Sequence, residues 1–599
     1  MANIRKIPRW VWLTALFLVC FVVYGLLADW PRQMVVYSDE LRYLHTARSL
    51  WQGRGLRVRN LPSDYQKILY PLCLMPALAL HGTAAQLRAT GWINAAWMAS
   101  TVFPTAALAR RAGLEKRAEA VLLLITMTLP TMVATNSFMS ETVFLPLSLW
   151  MVLWLVCAMQ AAPRARIGWC ALAGGWCYLL YLNKEVALYY LIAYGLTRVW
   201  WLWHHRSAWR AEVASWAALL GSFLLCFVLA KATLFAGMGN SYNLTSWPTA
   251  AQWRYIPFAL LYDALFAVLG FGVLPLLLPM AHLKRPRAET GRQAAEEQLP
   301  LMLLLCVAVG IATVAYTITI REDLGRADPR QHLRYMEPLM VPLLLCNIQA
   351  LRKRESTVQR RVVWAGTAVF GVLFVAVCHY IGPGSNDNTF LQWYDFVTDR
   401  LNRLPVLPES VWLLLFRLGI VAGLAALCCL VLRRRALPVL AAGLVAVQLF
   451  CYWSERRINL WTYAIAPETA RAADALNETL HTLPGNILFV PYGVRQKDSQ
   501  LIDSYIDRDV YLCEFETMQQ RGFLEDGVLD LATEHPVPEF PNRPYEDLRE
   551  VQWLLLADGV APAPGTAAPV DAATPAGYTL YQNLDPARVA LQDTRSAAS

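Results

Sequence analysis

The stretch Val36-Tyr37-Ser38-Asp39-Glu40-Leu41-Arg42-Tyr43-Leu44-His45-Thr46-Ala47-Arg48-Ser49-Leu50 places two adjacent acids, Asp39 and Glu40, shortly after an apolar segment. That segment, Val11 to Ala28, is long enough to cross a bilayer, because about 20 helical residues span about 30 Å of hydrocarbon. The acids are therefore predicted to lie just beyond one membrane face. An acidic pair at such a place belongs either to a solvated loop or to a functional site, and the residues around it must decide which.

The stretch itself predicts a short helix. One apolar face repeats at spacings of three and four residues, so it can lie on the membrane or on the protein, while Arg42 and His45 are expected to point elsewhere. The acids would occupy the positive end of the helix dipole, which favours the ionised form that a general base needs. The residues of the apolar face are Tyr43, Leu44, Ala47 and Leu50.

The composition is that of a protein with many membrane spans. Of the 599 residues, 56% are hydrophobic and 16% are charged, and the mean hydropathy is +0.35, a balance that fits no soluble class. The formal net charge is +9, but the Lys and Arg residues stand in short clusters between apolar segments, where they indicate topology and not a nucleic-acid-binding face. We therefore expect no nucleic-acid partner. Nearly all of the 13 cysteines lie in apolar segments, so no disulfide framework is predicted.

Basic residues orient the spans. Arg5, Lys6 and Arg9 precede the first apolar segment and predict a cytoplasmic N-terminus. The segment Ile68–Leu80 either crosses the membrane or lies on it as an interfacial helix. If it crossed, the basic residues of 110–117 would fall outside, so we interpret it as interfacial.

With that choice, the sequence predicts about 13 transmembrane helices and an extracytoplasmic C-terminus. After the first helix, the spans occupy about residues 90–109, 118–135, 142–160, 167–181, 186–203, 212–235, 256–281, 299–319, 336–351, 361–381, 411–432 and 436–453. The links predicted to be cytoplasmic are 110–117, 163–166, 204–210, 284–292, 352–361 and 433–435. All of these links are basic, and their agreement is the strongest evidence for the topology.

Near residue 454 the composition changes to that of a soluble domain. We predict a transmembrane domain over 1–454, with interfacial helices in its first outer loop (29–89), and an extracytoplasmic α/β domain over 455–599. In the second domain, the pattern predicts a helix over Ala466–Thr482 and strands over Ile487–Val490, Asp509–Leu512 and Val551–Leu556. The Ala/Pro-rich stretch Ala561–Ala576 is predicted to be a loop, and Arg595–Ser599 to be disordered.

Further ionisable residues are predicted at the outer face, where charge close to hydrocarbon is costly unless it is paired or solvated. Glu141 has an ordinary explanation as an acid that complements a helix dipole, and Lys184 has one as a snorkelling interfacial lysine. Together, however, acids and bases at one face suit a reaction on an anionic lipid-linked substrate, in which cations bind a phosphate and a carboxylate acts as general base. The other candidates are Arg57, Arg59, Lys67, Tyr70, His332, Arg334 and Tyr335.

The motif Asp39-Glu40-x-x-Tyr43-x-x-x-Ala47-x-x-Leu50-x-x-Gly53 resembles the first-outer-loop signature of the multispanning GT-C glycosyltransferases. It is most similar to the protein mannosyltransferase-like branch, which includes the aminoarabinose transferase of lipid A. The resemblance covers about residues 10 to 345. Further elements follow in the family's order: Tyr70-Pro71, Ala109-Arg110-Arg111, Ser140-Glu141, Asn183-Lys184-Glu185 and Arg334-Tyr335.

The sequence departs from the family's pattern at two places. Tyr70-Pro71-Leu72 stands where Tyr-Pro-Pro is usual, which changes little. Lys184-Glu185 stands where Lys-Gly is common, and this leaves the role of Lys184 open.

The resemblance implies a polytopic membrane fold and transfer of a sugar from a polyprenyl-phosphate donor to a glycan, lipid or protein acceptor at the extracytoplasmic face. It implies that Asp39 is the catalytic base, that Glu40 shapes the site and that Glu141 orients the acceptor or the sugar. Some GT-C enzymes use a divalent metal such as Mg²⁺ or Mn²⁺ and others do not, and the acids here are too scattered to predict a metal cage. The donor phosphate or sugar would be held by Lys67, Tyr70, Lys184 and Arg334, with Arg57, Arg59, His332 and Tyr335 as further candidates.

Two other classes of function remain as alternatives. A transporter or flippase of lipid-linked saccharide would carry ionisable residues at mid-membrane depth and inverted repeats. A non-catalytic scaffold would bind envelope partners through the C-terminal domain. The Trp and Ala content and the short basic loops favour a bacterial inner membrane, although an endoplasmic-reticulum protein would have an equivalent topology.

Overall fold

Contacts between residues divide the chain into two compact units. The helical unit comprises Met1–Leu27, Asn94–Thr135 and Ser140–Ile458, and the α/β unit comprises Ala28–Ile93, Asn136–Met139 and Asn459–Ser599. The first loop, residues 28–93, thus belongs to the same unit as the C-terminal residues. The computed structural model describes residues 8–29, 38–58, 61–63, 66–236, 249–316, 333–352, 357–377, 389–403, 408–434, 437–463, 467–492, 496–508, 510–513, 515–516, 524–525, 528–532, 537–539, 543–545 and 550–594.

Helices dominate the described chain. The α-helices are α1 (Arg9–Asp29), α2 (Ser38–Trp51), α3 (Leu69–Leu74), α4 (Thr83–Ala99), α5 (Val102–Arg111), α6 (Lys116–Met127), α7 (Glu141–Gln160), α8 (Pro163–Tyr181), α9 (Leu188–His204), α10 (Trp209–Thr233), α11 (Ala250–Phe271), α12 (Val273–Ala281), α13 (Gly291–Val314), α14 (Met340–Arg352), α15 (Thr357–Val377), α16 (Gln392–Asn402), α17 (Glu409–Arg434), α18 (Leu437–Tyr463), α19 (Pro467–Thr482) and α20 (Gln496–Tyr505). Short 3₁₀ helices cover Met75–Ala79, Pro130–Asn136, Glu185–Ala187, Arg206–Ala208, Leu333–Tyr335, Glu337–Leu339 and Thr389–Leu391.

The chain is an integral membrane protein. Each predicted span contains at least one helix, and among the described residues seven helices are single segments long and apolar enough to cross a bilayer. The helical stretch Leu69–Ala79 is apolar but shorter, in agreement with the sequence analysis. The seven candidate spans are Arg9–Ala28, Glu141–Gln160, Arg206–Thr233, Ala250–Phe271, Gly291–Val314, Gln359–Val377 and Ser410–Leu430.

Three predicted spans are interrupted, each for a local reason. The span 118–135 bends by 44° between α6 and the 3₁₀ helix that starts at Pro130, a residue without a backbone N–H. The span 256–281 breaks at Gly272, whose φ of +85° only glycine adopts readily. The span 90–109 breaks between α4 and α5, where the hydroxyls of Ser100 and Thr101 bond to carbonyls of the preceding turn, at 2.6 and 2.7 Å.

The C-terminal part contains two main sheets. A five-stranded mixed sheet has the order β11-β12-β9-β3-β4, with β3 parallel to both of its neighbours, and a four-stranded antiparallel sheet has the order β10-β13-β6-β5. The pairs β1–β2 and β7–β8 form separate antiparallel ribbons. The strands are β1 (Arg57–Val58), β2 (Leu61–Pro62), β3 (Ile487–Val490), β4 (Tyr511–Leu512), β5 (Leu524–Glu525), β6 (Val528–Ala532), β7 (Val537–Glu539), β8 (Arg543–Tyr545), β9 (Trp553–Ala557), β10 (Val560–Pro562), β11 (Ala567–Pro569), β12 (Tyr578–Asn583) and β13 (Arg588–Asp593).

The two sheets share one hydrophobic core. Leu488 of β3 and Leu554 of β9 belong to the same buried cluster as Val589 and Leu591 of β13. Every residue of β3 is buried, as expected for a continuous apolar run in the interior of a mixed sheet. The predicted helix and the predicted β3 are confirmed, and β4 and β9 lie within one or two residues of their predicted positions.

The stretch Ala561–Ala576 is not a plain loop, as the sequence had suggested. It contains most of β10 and all of β11, which are the outer strands of the two sheets. Proline is tolerated on outer strands because its missing N–H is not needed for pairing, and so Pro-rich segments can still be strands there. Arg595–Ser599, predicted to be disordered, lie outside the described residues.

Candidate active site

The two acids of the opening stretch begin α2, and they differ in burial. Asp39 is half-buried, whereas Glu40 is 0% exposed. The Oε1 atom of Glu40 accepts a hydrogen bond of 2.7 Å from the backbone N–H of Phe138. Glu40 therefore ties the start of α2 to the segment 136–139, which immediately precedes Ser140 and Glu141 in the chain.

The aromatic residue of the Tyr70-Pro71 element packs against α2. Tyr70, in α3, is 0% exposed, and its ring meets the ring of Tyr43 edge-on with 5.1 Å between centroids. Lys67 is half-buried just before α3, and Arg57 is half-buried in β1. The packing of α3 on α2 thus brings the Tyr70 element to the helix that carries the acids.

A second group of predicted residues lies in the helical unit. Glu141 is the first residue of α7, and its Oε1 atom accepts a hydrogen bond of 2.7 Å from Nζ of Lys184. The Nε atom of Arg334 is 3.5 Å from the same oxygen. The side chains of Glu141, Lys184 and Arg334 are 7%, 6% and 18% exposed. These residues and Tyr335 are hereafter the Lys184 cluster.

Tyr335 completes the cluster through its ring. Nζ of Lys184 lies 4.5 Å from the ring centroid, and Cζ of Arg334 lies 5.3 Å from it, so both cations are in cation–π range. The backbone carbonyl of Tyr335 accepts a hydrogen bond of 3.3 Å from the hydroxyl of Tyr189. The side-chain amide of Asn183 donates to the carbonyl of Ser140 at 3.0 Å and so fixes the Lys184 turn to the start of α7.

The charges of the Lys184 cluster suit an anion. Two cations and one carboxylate meet here, in a place where little water screens them. Oε2 of Glu141 is buried and has no hydrogen-bond partner among the described residues. Lys184 is therefore a buried, paired cation and not a snorkelling lysine. A guanidinium and an ammonium held together are the groups that bind phosphate oxygens.

Some buried acids were missed in the sequence. Glu337 is 2% exposed, and its Oε2 accepts a hydrogen bond of 2.6 Å from Oγ1 of Thr131. The sequence feature that could have identified Glu337 is its position three residues after Arg334. Asp263 is 0% exposed within the candidate span α11, and an ionisable residue inside a span is by itself a pointer to function.

The predicted site residues fall in both units. Asp39, Glu40, Arg57, Lys67 and Tyr70 belong to the α/β unit, and Glu141, Lys184, Arg334 and Tyr335 to the helical unit. Arg59 and His332 lie outside the described residues. Within the part of the chain that the structure describes, no group of three or more His, Cys, Asp or Glu side chains could hold a metal ion.

No protein-family model matches this chain, and no curated protein matches it. Two crystal structures of ArnT from Cupriavidus metallidurans do match it: the apo state with a TM-score of 0.50 and 15% identity, and the form bound to undecaprenyl phosphate with a TM-score of 0.51 and 16% identity. Each match covers 96% of this chain and 99% of that chain. The chain therefore shares the fold of these two structures, and the predicted polytopic helical membrane fold with a sheet-containing C-terminal domain is confirmed.

Proposed function

We propose that this protein is a membrane glycosyltransferase that moves a sugar from a polyprenyl-phosphate donor to a glycan, lipid or protein acceptor at the extracytoplasmic face. The observation that carries the proposal is the Lys184 cluster, a buried cationic group in the helical unit. The shared fold with ArnT, one structure of which holds undecaprenyl phosphate, supports the same donor class. The proposed location is a bacterial inner membrane, with the N-terminus cytoplasmic and the C-terminal domain periplasmic.

Lys184 and Arg334 would bind the donor phosphate. An ammonium and a guanidinium each donate several N–H bonds, so they can hold Glu141 and a phosphate together. As the sugar leaves, negative charge grows on the phosphate, and fixed cations stabilise that charge at little reorganisation cost. Glu141 would orient the acceptor or the sugar. Further donor contacts are proposed for Arg57, Arg59, Lys67, Tyr70, His332 and Tyr335.

Asp39 would be the general base. The acceptor hydroxyl oxygen forms a bond to the anomeric carbon while the bond from that carbon to the phosphate oxygen breaks, and the polyprenyl phosphate leaves with the bonding electrons. The hydroxyl proton passes to the Asp39 carboxylate. Asp39 lies in the first turn of α2, and this step requires its carboxylate to be ionised.

The donor is identified by mass spectrometry of the lipid-linked sugars that accumulate in a deletion strain. The extracted lipid, together with an envelope extract of the deletion strain as the source of the acceptor, is then given to the purified protein in nanodiscs, with and without EDTA and with Mg²⁺ or Mn²⁺ as the candidate cofactors. Release of polyprenyl phosphate is expected from the wild type. A flippase would move the lipid-linked sugar without cleaving it, and a scaffold would leave it unchanged.

Asp39→Asn tests the base. It keeps the shape of the side chain but removes the proton acceptor, so transfer should fall by about 10²–10⁴-fold. Binding of undecaprenyl phosphate should be retained. The matched control is Asp571→Asn, at an exposed acid of the same unit, which should transfer normally. Wild-type transfer by Asp39→Asn would refute the role of Asp39.

A further inference from the structure

The C-terminal end of α20 is capped by side chains of the first loop. Helix-terminal carbonyls have no partner within their own helix, and local glycine motifs or water usually satisfy them. Here Oγ1 of Thr83 donates to the carbonyl of Tyr505 at 3.1 Å, and Arg48 donates to the carbonyl of Ile506 at 2.9 Å. Gln52 donates to the carbonyl of Asp507 at 3.2 Å. The last turn of α20 is thus completed by residues more than 400 positions away in the chain.

A buried His–Asp contact is added to these caps one turn earlier in α20. Nε2 of His45 lies 3.1 Å from Oδ2 of Asp503, and the two side chains are only 6% and 2% exposed. Arg48 is 4% exposed, and burial lowers its pKa to about 10, against the opposing effect of the carboxylates of Asp507 and Asp503. A cation at a helix C-terminus is favourable because it complements the negative end of the dipole.

These contacts come mainly from one face of α2. His45, Arg48 and Gln52 are spaced by three and four residues, so they line one side of the helix. A different part of α2, at Tyr43, packs against α3. His45 was expected to point away from the packed face, but α2 is buried on both of these sides. His45, Arg48, Gln52 and Thr83, together with their acceptors in 503–507, are hereafter the α20 clamp.

We propose that the C-terminal domain positions the helix that carries the catalytic base, and that the α20 clamp does this. The inference rests on the proposed role of Asp39. A base must stay within hydrogen-bond reach of the proton it accepts, and a displacement of about 1 Å can cost about 10²-fold in rate. Asp39 begins α2, so a clamp along the following three turns fixes the direction in which its carboxylate is presented. His45, Arg48, Gln52 and Thr83 are positioning residues that need not touch the substrate.

The test compares turnover with donor binding in the full-length protein in nanodiscs. Asp503→Asn and Arg48→Met should lower kcat by about ten- to a hundredfold on the lipid-linked sugar extracted from the deletion strain. The Kd for undecaprenyl phosphate should stay within about twofold of the wild type. The exchanged pair His45→Asp/Asp503→His restores a His–Asp contact and should recover a large part of kcat.

Hydrogen exchange supplies a readout that does not depend on catalysis. Backbone amides of α2 should exchange faster in Asp503→Asn than in the wild type. The exchange rates of the α7 amides should be unchanged, which would show that the variant is folded. If the charged variants do not fold, Gln52→Leu and Thr83→Val each remove one neutral hydrogen bond. Each should slow turnover by about fivefold, the equivalent of about 1 kcal/mol.

The chain offers a control in an exposed ion pair of the helical unit. An oxygen of Asp399 lies 2.9 Å from a guanidinium nitrogen of Arg403, with the two side chains 51% and 52% exposed. Asp399→Asn should leave both kcat and the exchange of α2 unchanged.

Two outcomes separate the positioning inference from the proposed function. If the clamp variants keep wild-type kcat and wild-type exchange in α2 while Asp39→Asn is inactive, the positioning inference is wrong and the function stands. If Asp39→Asn transfers normally while the clamp variants loosen α2, the clamp holds the fold only, and both catalytic proposals fail.

Discussion

Lys184 shows how two nearby partners change the role of one side chain. Its ammonium is bonded to the carboxylate of Glu141 and lies over the ring of Tyr335, with 5% of the residue exposed. A lysine that only anchored the chain at the interface would keep its ammonium in water. Burying it instead requires a partner charge, and the Glu141 carboxylate supplies one.

We predict that Lys184→Met lowers the affinity for undecaprenyl phosphate by at least about tenfold, because a hydrogen bond to a charged group contributes about 1.5–3 kcal/mol. The variant also leaves the Glu141 carboxylate less well compensated, so thermal stability should fall. Lys184→Arg keeps the charge and should bind more tightly than Lys184→Met. Affinities are measured by titration in nanodiscs.

The double variant Lys184→Met/Glu141→Gln separates binding from folding. Removing the buried carboxylate should restore thermal stability without restoring affinity. If Lys184→Met binds undecaprenyl phosphate with wild-type affinity, Lys184 does not bind the donor. If the double variant recovers the affinity, the loss in the single variant came from folding alone.

At the scale of the helices, a buried ion network joins α8, α9 and α10. Glu212, 0% exposed in the first turn of α10, accepts hydrogen bonds from Arg198 of α9 at 2.6 and 2.7 Å and from Arg166 of α8 at 3.0 Å. Arg198 also donates to Gln298 of α13 at 2.6 Å and stacks over the ring of Trp201, 4.0 Å from its centroid. Removing this acid would leave the buried guanidinium groups of Arg166 and Arg198 without the carboxylate that pairs with both.

We therefore predict that Glu212→Gln destabilises the protein by about 3–5 kcal/mol, the usual cost of breaking a buried ion pair from one side. The matched control is Glu115→Gln, which removes an exposed Glu–Arg pair, 3.4 Å from Arg352, with the acid 80% exposed. Exposed pairs contribute about 0–1 kcal/mol, so this variant should unfold near the wild-type temperature. Thermal unfolding in detergent measures both, and equal losses would contradict the prediction.

At the scale of the whole molecule, the orientation in the membrane follows from the basic links. The link that contains Glu289 is predicted to be cytoplasmic, and the turn that contains Ala587 to be extracytoplasmic. Both residues are exposed, so each can report its side of the membrane.

In a cysteine-free background, a membrane-impermeant maleimide added to intact cells should label Ala587→Cys and not Glu289→Cys. Glu289→Cys should react only after the membrane is permeabilised. The opposite labelling pattern would mean that the topology is the reverse of the predicted one. Labelling of both positions in intact cells would mean that the link 284–292 lies outside the cytoplasm.

The residues of the site show what could be predicted and what could not. The motif beginning at Asp39 pointed to α2, and Glu141, Lys184 and Arg334 were each named from the sequence. Their meeting was not derivable from local pattern, because Lys184 follows Glu141 by 43 positions and only packing of the intervening helices brings them into contact. Arg166 was read as part of a basic link, since its burial depends on the partners that α9 and α10 provide.

The sequence by itself determined the membrane fold. A helix satisfies its own backbone hydrogen bonds, so a long apolar run in lipid has no alternative structure, and the spans can be read locally. The same holds for β3 and α19, whose patterns are complete within a few residues.

Only the tertiary structure decided which polar side chains are paired. Glu40 became a buried acceptor for the Phe138 N–H, and His45 and Arg48 became partners of the end of α20, 458 positions further along the chain. Polar residues carry their hydrogen-bonding capacity in any environment, so their sequence does not state whether water or a distant segment will satisfy it. Folding buries these side chains, and each then needs a hydrogen-bond partner within the protein. An unpaired polar group away from water raises the free energy of the folded state.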